Sequence, residues 1–230
     1  MGLLDFFFPK RCVGCRAFGS YLCTVCFSTI SFDVQEICLV CNRHAITGLT
    51  HPGCQTKYCI DGVFVGVVYK GIIKRVVYTL KYAPYLHDLK KIISDLLYES
   101  LTQKEALHAV LQKPAVLVPI PLHAAKMRKR GYNQAEIIAK QLSKRFDIPT
   151  VALLRRVKQT HTQVGLVKEQ RQDNVKDAFA LDTRMATDQE LQVILVDDVV
   201  TSGATMLEAS RVLKKAGFKK VYGIAFAHGQ

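Results

Sequence analysis

Four short apolar runs of strand length follow residue 61 of the chain. They are "GVFVGVVYK" (62–70), "AVLVPIP" (115–121), "VILV" (193–196) and "VYGIAFA" (221–227). The second run must end at its prolines, because proline cannot donate a hydrogen bond to a neighbouring strand. Continuous apolar strands of this kind are typical of a parallel sheet that is buried on both faces.

Amphipathic helices are predicted between these strands. In residues 71–82 the apolar positions recur at helical spacing, and the inward face consists of Ile72, Ile73, Val76, Val77 and Leu80. Residues 88–111 and 132–146 predict two more helices, and Ala204–Ala216 predicts one that ends at Gly217. The alternation of strands and helices indicates an α/β fold with a Rossmann-like, mainly parallel sheet and flanking helices.

All eight cysteines lie in a separate segment, between residues 12 and 59. Three pairs have C-x2-C spacing and the fourth is wider: Cys12 and Cys15, Cys23 and Cys26, Cys38 and Cys41, and Cys54 and Cys59. Two such pairs complete a tetrahedral zinc site. We therefore expect structural Zn²⁺ in a module of residues 1–60, followed by a second domain of residues 61–230.

Two ways of pairing the cysteines are open. Sequential pairing, our first choice, gives one site from positions 12, 15, 23 and 26 and another from 38, 41, 54 and 59, whereas a cross-braced arrangement would interleave them. We interpret His44 and His51 as loop residues, although either is able to replace a ligand. Disulfide bonds are the structural alternative to metal.

The composition indicates a folded protein, and the apolar runs indicate neither a membrane span nor a signal peptide. Hydrophobic residues make up 49% of the chain and charged residues 22%, which supports a folded core. No apolar run approaches the roughly 18 residues that a membrane span needs, and "MGLLDFFF" is too short for the apolar region of a signal peptide. We expect a cytoplasmic protein without a membrane span, in which cysteines stay reduced.

Two adjacent acids, Asp197 and Asp198, follow the apolar run 193–196. In a parallel sheet, the carboxyl end of a strand is where ligands bind. The turn behind the acids consists of Thr201, Ser202, Gly203, Ala204 and Thr205. Small residues before a helix let backbone N–H groups close around a phosphate. The acids are then free to bind ribose hydroxyls, directly or through Mg²⁺, so the pattern predicts a phosphoribosyl ligand.

Positive charge is concentrated in one central segment. The net charge of the chain is +13, and residues 113–176 contain fourteen basic and four acidic side chains. This excess favours a polyanionic ligand such as nucleic acid or a polyphosphate, although a solvated surface is the alternative. The candidate residues for binding nucleic acid are Arg128, Lys129, Arg130, Arg155, Arg156, Lys158 and Arg171. Tyr132 either stacks on bases of single-stranded DNA or anchors its helix in the core.

Three sequence blocks carry a family resemblance. The run of apolar residues, two acids and T-S-G-A-T at 193–205 resembles the signature of type I phosphoribosyltransferases, which bind phosphoribosyl pyrophosphate (PRPP). The other two blocks are "VPIPLHAAKMRKRGYNQA" (118–135) and "RRVKQTHTQVGLVKEQRQDNVKDAF" (155–179). Together with the cysteine-rich N-terminus, they resemble the ComF family of competence proteins over nearly the whole chain. The resemblance implies a type I phosphoribosyltransferase-like fold.

The resemblance also implies roles for the matching residues. Asp197 and Asp198 would hold the ribose hydroxyls as the catalytic pair, and residues 201–205 would hold the 5′-phosphate of PRPP. The turn after "LVPIP" would bind pyrophosphate, with Arg128 and Arg130 near the polyphosphate. A segment where transferases carry a mobile active-site loop contains four further matches, Thr160, Gln163, Arg171 and Asn174. A solvated basic loop is the alternative for that segment.

Two functional hypotheses follow. In the first, the chain is a competence protein that binds PRPP or a related ligand and handles incoming single-stranded DNA with other proteins of DNA uptake. In the second, it is an active phosphoribosyltransferase with an unidentified acceptor. The sequence ends at Gln230, three residues after the last predicted strand, so we expect no C-terminal hood for a nucleobase. The basic segment and the family resemblance favour the first hypothesis.

Overall fold

Six strands form two sheets in the computed structural model, which describes residues 9–82, 87–159, 168–185 and 188–229. The strands are β1 (Gly62–Val68), β2 (Ala115–Pro119), β3 (Leu154–Arg156), β4 (Phe179–Leu181), β5 (Gln192–Val200) and β6 (Val221–His228). Four of them form a parallel sheet in the order β1-β6-β5-β2, and β3 and β4 form an antiparallel pair. The predicted parallel sheet is therefore confirmed.

Apart from one short helix in the cysteine-rich segment, the described helices lie between the strands, as the alternating pattern predicts. In chain order they are α1 (Thr24–Phe27), α2 (Ile72–Tyr82), α3 (His87–Leu101), α4 (Glu105–Leu111), α5 (Ala124–Arg130), α6 (Gln134–Phe146), α7 (Lys168–Val175) and α8 (Ala204–Lys215). Two short 3-10 turns, Ile46–Gly48 and Pro52–Cys54, lie in the cysteine-rich segment. None of the described helices is long and apolar enough to cross a membrane.

Apolar cores cover both faces of the parallel sheet, because successive strand residues point to opposite faces. Phe64 and Ile194 face a core shared with α2, α3 and α6. Val63 and Leu195 face the other core, to which α8 and the β3–β4 pair contribute. The inward residues predicted for α2 are all buried, so the amphipathic pattern of that helix is confirmed.

The single helix predicted over residues 88–111 is wrong, since two helices occupy that range. Between α3 and α4, Lys104 has an extended backbone and forms a 2.8 Å ion pair with Glu36 of the cysteine-rich segment. His108 Nε2 lies 2.9 Å from the carbonyl oxygen of Thr102, within the connection. Tertiary contacts therefore interrupt a periodicity that is continuous in the sequence.

The strand predicted at 193–196 is longer than expected and contains both acids. Pro119, the last residue of β2, pairs with Val196. Beyond that point β5 continues along β6 alone, with Asp197 opposite Ala225. The acids therefore lie inside β5, past the carboxyl end of its shorter neighbour.

The cysteine-rich segment packs against the α/β fold. Leu39 and Ile60 are buried in the core that contains α8. Asp61 accepts a 2.8 Å hydrogen bond from the backbone N–H of Val221 and lies 2.6 Å from Lys214 Nζ. The division of the chain into domains at residue 60 stays a prediction.

Helix α2 provides a matched test of the packing. Leu80→Ala removes a side chain that is 2% exposed, so we expect a loss of about 2–5 kcal/mol in the free energy of unfolding. Tyr78→Ala removes one that is 66% exposed, and we expect a change of about 0.5 kcal/mol or less. Urea unfolding of both variants measures the difference. Equal losses would contradict this orientation of the helix.

Candidate functional site

The two acids lie beside each other in the carboxyl-terminal half of β5, and their side chains point to opposite faces of the sheet. The backbone N–H of Asp198 donates to Oδ1 of Asp197 at 2.8 Å. Burial, and secondly the adjacent Asp198 carboxylate, raise the pKa of Asp197 well above its usual range. Because two adjacent, partly buried carboxylates repel each other, they need positive charge nearby.

Lys81 supplies that charge from the last turn of α2. Its Nζ lies 2.6 Å from Oδ2 of Asp198, and the two side chains are 26% and 13% exposed. Burial alone would lower the pKa of Lys81, but the carboxylate of Asp198 raises it. The lysine therefore stays charged and neutralises one of the two acids. No sequence pattern marks this residue, because the contact depends on how α2 lies over the sheet.

A turn with a left-handed glycine connects β5 to α8. Gly203 has φ 74° and is the N-cap of the helix. A β-carbon at this position would lie 2.5 Å from Cγ of Leu39, so glycine meets both the backbone and the packing requirement. Leu39 stands between Cys38 and Cys41 and is 1% exposed. The cysteine-rich segment therefore forms the floor of this turn.

The turn presents hydrogen-bond donors beside the acids. The hydroxyl of Ser202 is buried and has no hydrogen-bond partner among the residues that the structure describes. The first backbone N–H groups of α8 have no partner within the helix. A recess here is lined by Asp197, Thr201, Gly203 and Thr205, among others. Donors of this kind suit a phosphate group, and the Asp197 carboxylate lines the same recess.

His228, which the sequence analysis did not predict, supports the other side of the turn. It ends β6 and is 6% exposed. Burial lowers the pKa of His228, although a hydrogen bond to the backbone of Thr201 opposes the shift. The backbone N–H of Gly229 donates to the carbonyl of Val200 at 2.8 Å. The ends of β5 and β6 are thus tied together where the turn begins.

Arg156 is a second cation near the acids, and two cations of α5 lie close to it or to each other. Arg156 of β3 lies near Asp197: burial lowers the pKa of Arg156 and the Asp197 carboxylate opposes that shift. Lys126 of α5 lies close to Arg156, Arg130 and Lys81, which, after burial, lower its pKa. The acids therefore have Lys81 of α2 and Arg156 of β3 nearby, and Lys126 of α5 lies next to these two cations.

Helical geometry separates the basic residues of α5. Lys126 and Arg130 are four residues apart and share one face, whereas Arg128 is about 200° from Lys126 around the helix axis. Arg128 and Lys129 are exposed, as are Arg155 and Lys158. The role of Arg128 at a polyphosphate stays a prediction, and the geometry favours Lys126 in its place. Lys126 belongs to the sequence block 118–135. Its four-residue spacing from Arg130 indicates that the two side chains share one face of the helix.

The predicted mobile-loop residues are only partly visible. Thr160 and Gln163 lie outside the described residues, and so does the side chain of Arg171. Asn174 is half-buried in α7. Tyr132 donates from its hydroxyl to the carbonyl of Leu80, so it anchors the start of α6 to α2.

The first predicted zinc ligand set comes together in the structure. Its four Sγ atoms all lie within 4.8 Å of one another, and those of Cys15 and Cys23 are 3.5 Å apart. Burial opposes the shift, but hydrogen bonds, chiefly from the backbone of Cys23, lower the pKa of Cys12 to about 6. None of the eight cysteines, all within the described range 9–82, forms a disulfide. Four converging sulfur atoms fit tetrahedral zinc.

The second predicted ligand set needs a correction, since His51 takes the place of Cys59. The atoms that converge within 4.8 Å belong to Cys38, Cys41, His51 and Cys54. His51 Nδ1 lies 3.4 Å from Cys41 Sγ, and its Nε2 lies 2.9 Å from the carbonyl oxygen of His44. Because a carbonyl only accepts, Nε2 carries the proton and Nδ1 keeps its lone pair for a metal.

Cys59 is held in a local turn instead. Its sulfur accepts from the backbone N–H of Thr56 at 3.1 Å and lies 3.3 Å from the carbonyl of the same residue. The sequence contained the correct signal, because His51 and Cys54 have the same x2 spacing as the three cysteine pairs. The wider spacing of Cys54 and Cys59 was the exception.

Comparisons with known proteins agree with this arrangement. Residues 127–229 match the model of the phosphoribosyl transferase domain, and residues 3–61 match that of the double zinc ribbon domain. "DNA utilization protein YhgH" of Escherichia coli O6:H1 is 30% identical over 216 residues, which cover 85% of this chain and 92% of that protein.

Two relatives named for competence match over shorter regions. "Competence protein F" of Haemophilus influenzae is 37% identical over 142 residues, or 60% of this chain and 62% of that protein. "Competence protein ComFC" of Bacillus subtilis is 32% identical over 105 residues, or 46% of this chain and 40% of that protein. The chain therefore covers less than two thirds of the length of either protein.

The fold and the ligand sets define a phosphoribosyltransferase-type α/β domain that carries an N-terminal double zinc ribbon. The similarity to YhgH extends over most of both chains, and two further relatives are named for competence. The protein therefore belongs to the ComF family.

Zinc content tests the corrected ligand set. We expect two zinc ions per chain, and His51→Ala should retain one after dialysis against a weak chelator, because three ligands bind zinc less tightly than four. Cys59→Ser is the matched control and should retain two. Elemental analysis of the three proteins measures this. Loss of one ion in the Cys59 variant but not in the His51 variant would restore the ligand set predicted from the sequence.

Proposed function

We propose that the chain binds PRPP with Mg²⁺ at Asp197, Asp198 and the turn 201–205, and that it handles single-stranded DNA in the cytoplasm. The observation that carries the proposal is the acid pair beside the turn 201–205, with a buried Ser202 hydroxyl in the turn and with Lys81 and Arg156 close to the acids. The names of its relatives refer to competence and DNA utilization, and they support a role alongside other proteins of DNA uptake.

Each part of PRPP has a chemically suitable partner. The 5′-phosphate accepts hydrogen bonds from the turn and from the start of α8, where the buried hydroxyl of Ser202 gains a partner. The ribose hydroxyls donate to Asp197 and Asp198. The pyrophosphate lies against Lys126 and Arg156. Mg²⁺ is commonly held by one or two carboxylates together with substrate phosphates, and it would neutralise charge on the pyrophosphate.

The DNA part of the proposal rests on surface charge. Arg128, Lys129, Arg155 and Lys158 are exposed, and all lie in the segment with fourteen basic and four acidic residues. Cations in such number exceed what one small ligand needs, whereas a nucleic-acid strand presents a phosphate at every nucleotide.

An active phosphoribosyltransferase is the second candidate, favoured by the position of Arg156 near Asp197 and of Lys126 near Arg156. Transfer would break the bond between C1 and the pyrophosphate oxygen, whose electron pair leaves with pyrophosphate, while an acceptor forms the new bond to C1. Release of pyrophosphate from PRPP and Mg²⁺ with a defined acceptor distinguishes this candidate from binding alone.

PRPP with Mg²⁺ should stabilise the protein. At a ligand concentration of 100 times Kd, binding to the native state adds about 2.7 kcal/mol, which raises Tm by about 5–10 °C in a chain of this size. Asp197→Asn/Asp198→Asn should remove most of that shift, because the ribose and Mg²⁺ lose their carboxylates. Differential scanning fluorimetry of each protein with and without ligand measures the shift.

The control for this experiment is Asp33→Asn/Asp188→Asn, which changes charge equally at two exposed carboxylates elsewhere. Each variant is compared with its own ligand-free Tm, since loss of Asp198 leaves Lys81 unpaired and lowers the baseline. An unchanged ligand shift in the Asp197/Asp198 double variant would place the ligand elsewhere.

Single-stranded DNA binding should weaken steeply with salt. Each phosphate neutralised by a cation contributes about −0.7 to the slope of log K against log[salt] for a single strand. Arg128→Ala/Lys129→Ala should therefore reduce the slope by about 1.4 in magnitude and weaken binding. Fluorescence anisotropy with a labelled oligonucleotide at several salt concentrations measures both effects.

Lys215→Ala/Lys219→Ala is the matched control, with the same loss of charge. Both lysines are exposed and lie outside residues 113–176, at the end of α8 and just before β6, away from the carboxyl ends of the strands where the acids lie. Absence of binding by the wild-type protein at low salt, or an equal slope change in both variants, would contradict the proposed DNA surface.

A further inference from the structure

Two tyrosines on α2 form an exposed aromatic pair. Tyr78 is 66% exposed and Tyr82 is 54% exposed, and their ring centroids lie 4.7 Å apart. They are four residues apart on the helix, so both rings project from the same face. The opposite face of α2 already contains the residues that pack into the core. The core therefore does not require either aromatic ring.

The pair lies next to the candidate phosphoribosyl site. Lys81, which contacts Asp198 at 2.6 Å, precedes Tyr82 directly and is one helical turn from Tyr78. At 100° per residue, Tyr78, Lys81 and Tyr82 fall within an arc of about 100° around the helix axis. A ligand bound beside Lys81 therefore has the two rings within reach.

Positive charge borders the same rings. The guanidinium carbon of Arg130 lies 5.6 Å from the ring centroid of Tyr82, within the range of a cation–π contact. Arg130 shares a face of α5 with Lys126, whose pKa is lowered by Arg156, Arg130 and Lys81 after burial. Exposed aromatic faces bordered by cations match the chemistry of single-stranded nucleic acid, in which bases stack and phosphates need counter-charge.

Tyr132, the aromatic residue that the sequence suggested for this role, is less suitable. It is half-buried, and its hydroxyl donates to the carbonyl of Leu80. The Nζ atom of Lys90 lies 5.1 Å from its ring centroid. The structure thus assigns Tyr132 to anchoring and leaves the rings on α2 for a ligand.

We infer that Tyr78 and Tyr82 form a stacking platform for bases of a single-stranded nucleic acid, whose phosphates are neutralised by Arg130 and the exposed cations of α5. The inference rests on the proposed function, because it names where the strand contacts the protein. Bases in a duplex are already stacked on each other, so the platform selects single strands. The strand then passes beside the candidate PRPP site and leaves the ribose-binding acids accessible.

Binding of a labelled oligothymidylate by the zinc-loaded, full-length protein tests the platform. Tyr78→Ala/Tyr82→Ala should weaken binding about fivefold or more, because each stacked base is lost from its ring. Tyr78→Phe/Tyr82→Phe retains the rings and should bind like the wild type. The salt slope should stay unchanged in both variants, since neither loses a phosphate contact.

An abasic oligonucleotide of equal length isolates the contribution of the bases. It should bind the wild-type protein more weakly than oligothymidylate, and the alanine variant should bind both strands equally. If the wild type binds oligothymidylate but the alanine variant binds it just as tightly, the platform is refuted and the proposed DNA surface stands. If the wild type binds no strand even at low salt, the proposed function itself fails.

The PRPP-induced rise in Tm provides an independent readout. It should be the same in the alanine variant as in the wild type, because the rings contact the strand and not the phosphoribosyl group. Loss of that rise, with DNA binding intact, would assign the two rings to the small ligand and overturn the inference.

Discussion

The contact of Leu39 with Gly203 is the constraint on which the candidate site depends. Gly203 adopts a left-handed backbone, and the side chain of Leu39 occupies the space that a β-carbon would need. Leu39 is fixed by its neighbours Cys38 and Cys41, which belong to the second metal-ligand cluster. A residue that stands between two ligands of the N-terminal segment therefore packs against a turn that belongs to the sheet, although the two lie far apart in sequence. The zinc ribbon is in this respect part of the site.

Electrostatics impose the second requirement. Asp197 and Asp198 are adjacent in a strand and partly buried, so they repel each other unless cations compensate. Lys81 approaches from α2 on one face of the sheet, and Arg156 approaches from β3 near Asp197. Cations from two separate elements thus offset the electrostatic repulsion between the acids. The two cations stabilise the acid pair even when no ligand is bound.

Local patterns predicted much of the fold, because strands with apolar runs and helices with apolar stripes carry their own signal. The inward residues of α2, the parallel sheet and the first cysteine cluster all follow from spacing within short segments. Residue spacing does not predict features that depend on tertiary contacts. These are the break before Lys104, the pairing of Lys81 with Asp198, and the burial of His228. His51 is different, since its x2 spacing to Cys54 is visible in the sequence, although the pair of Cys54 and Cys59 offers two cysteines at a wider spacing.

The order of strands has a consequence for how the molecule is assembled. β1 pairs with β6, and Asp61 bonds to a backbone group 160 positions later in the chain. Pairing across such a separation is slow, because loop closure is needed before the contacts form. The ligands of each zinc cluster, in contrast, lie within about 17 residues of one another, so the ribbon is able to fold while the rest of the chain is still being synthesised. In that case Leu39 stays exposed until the last third of the chain has been synthesised, because the turn that packs over Leu39 lies there.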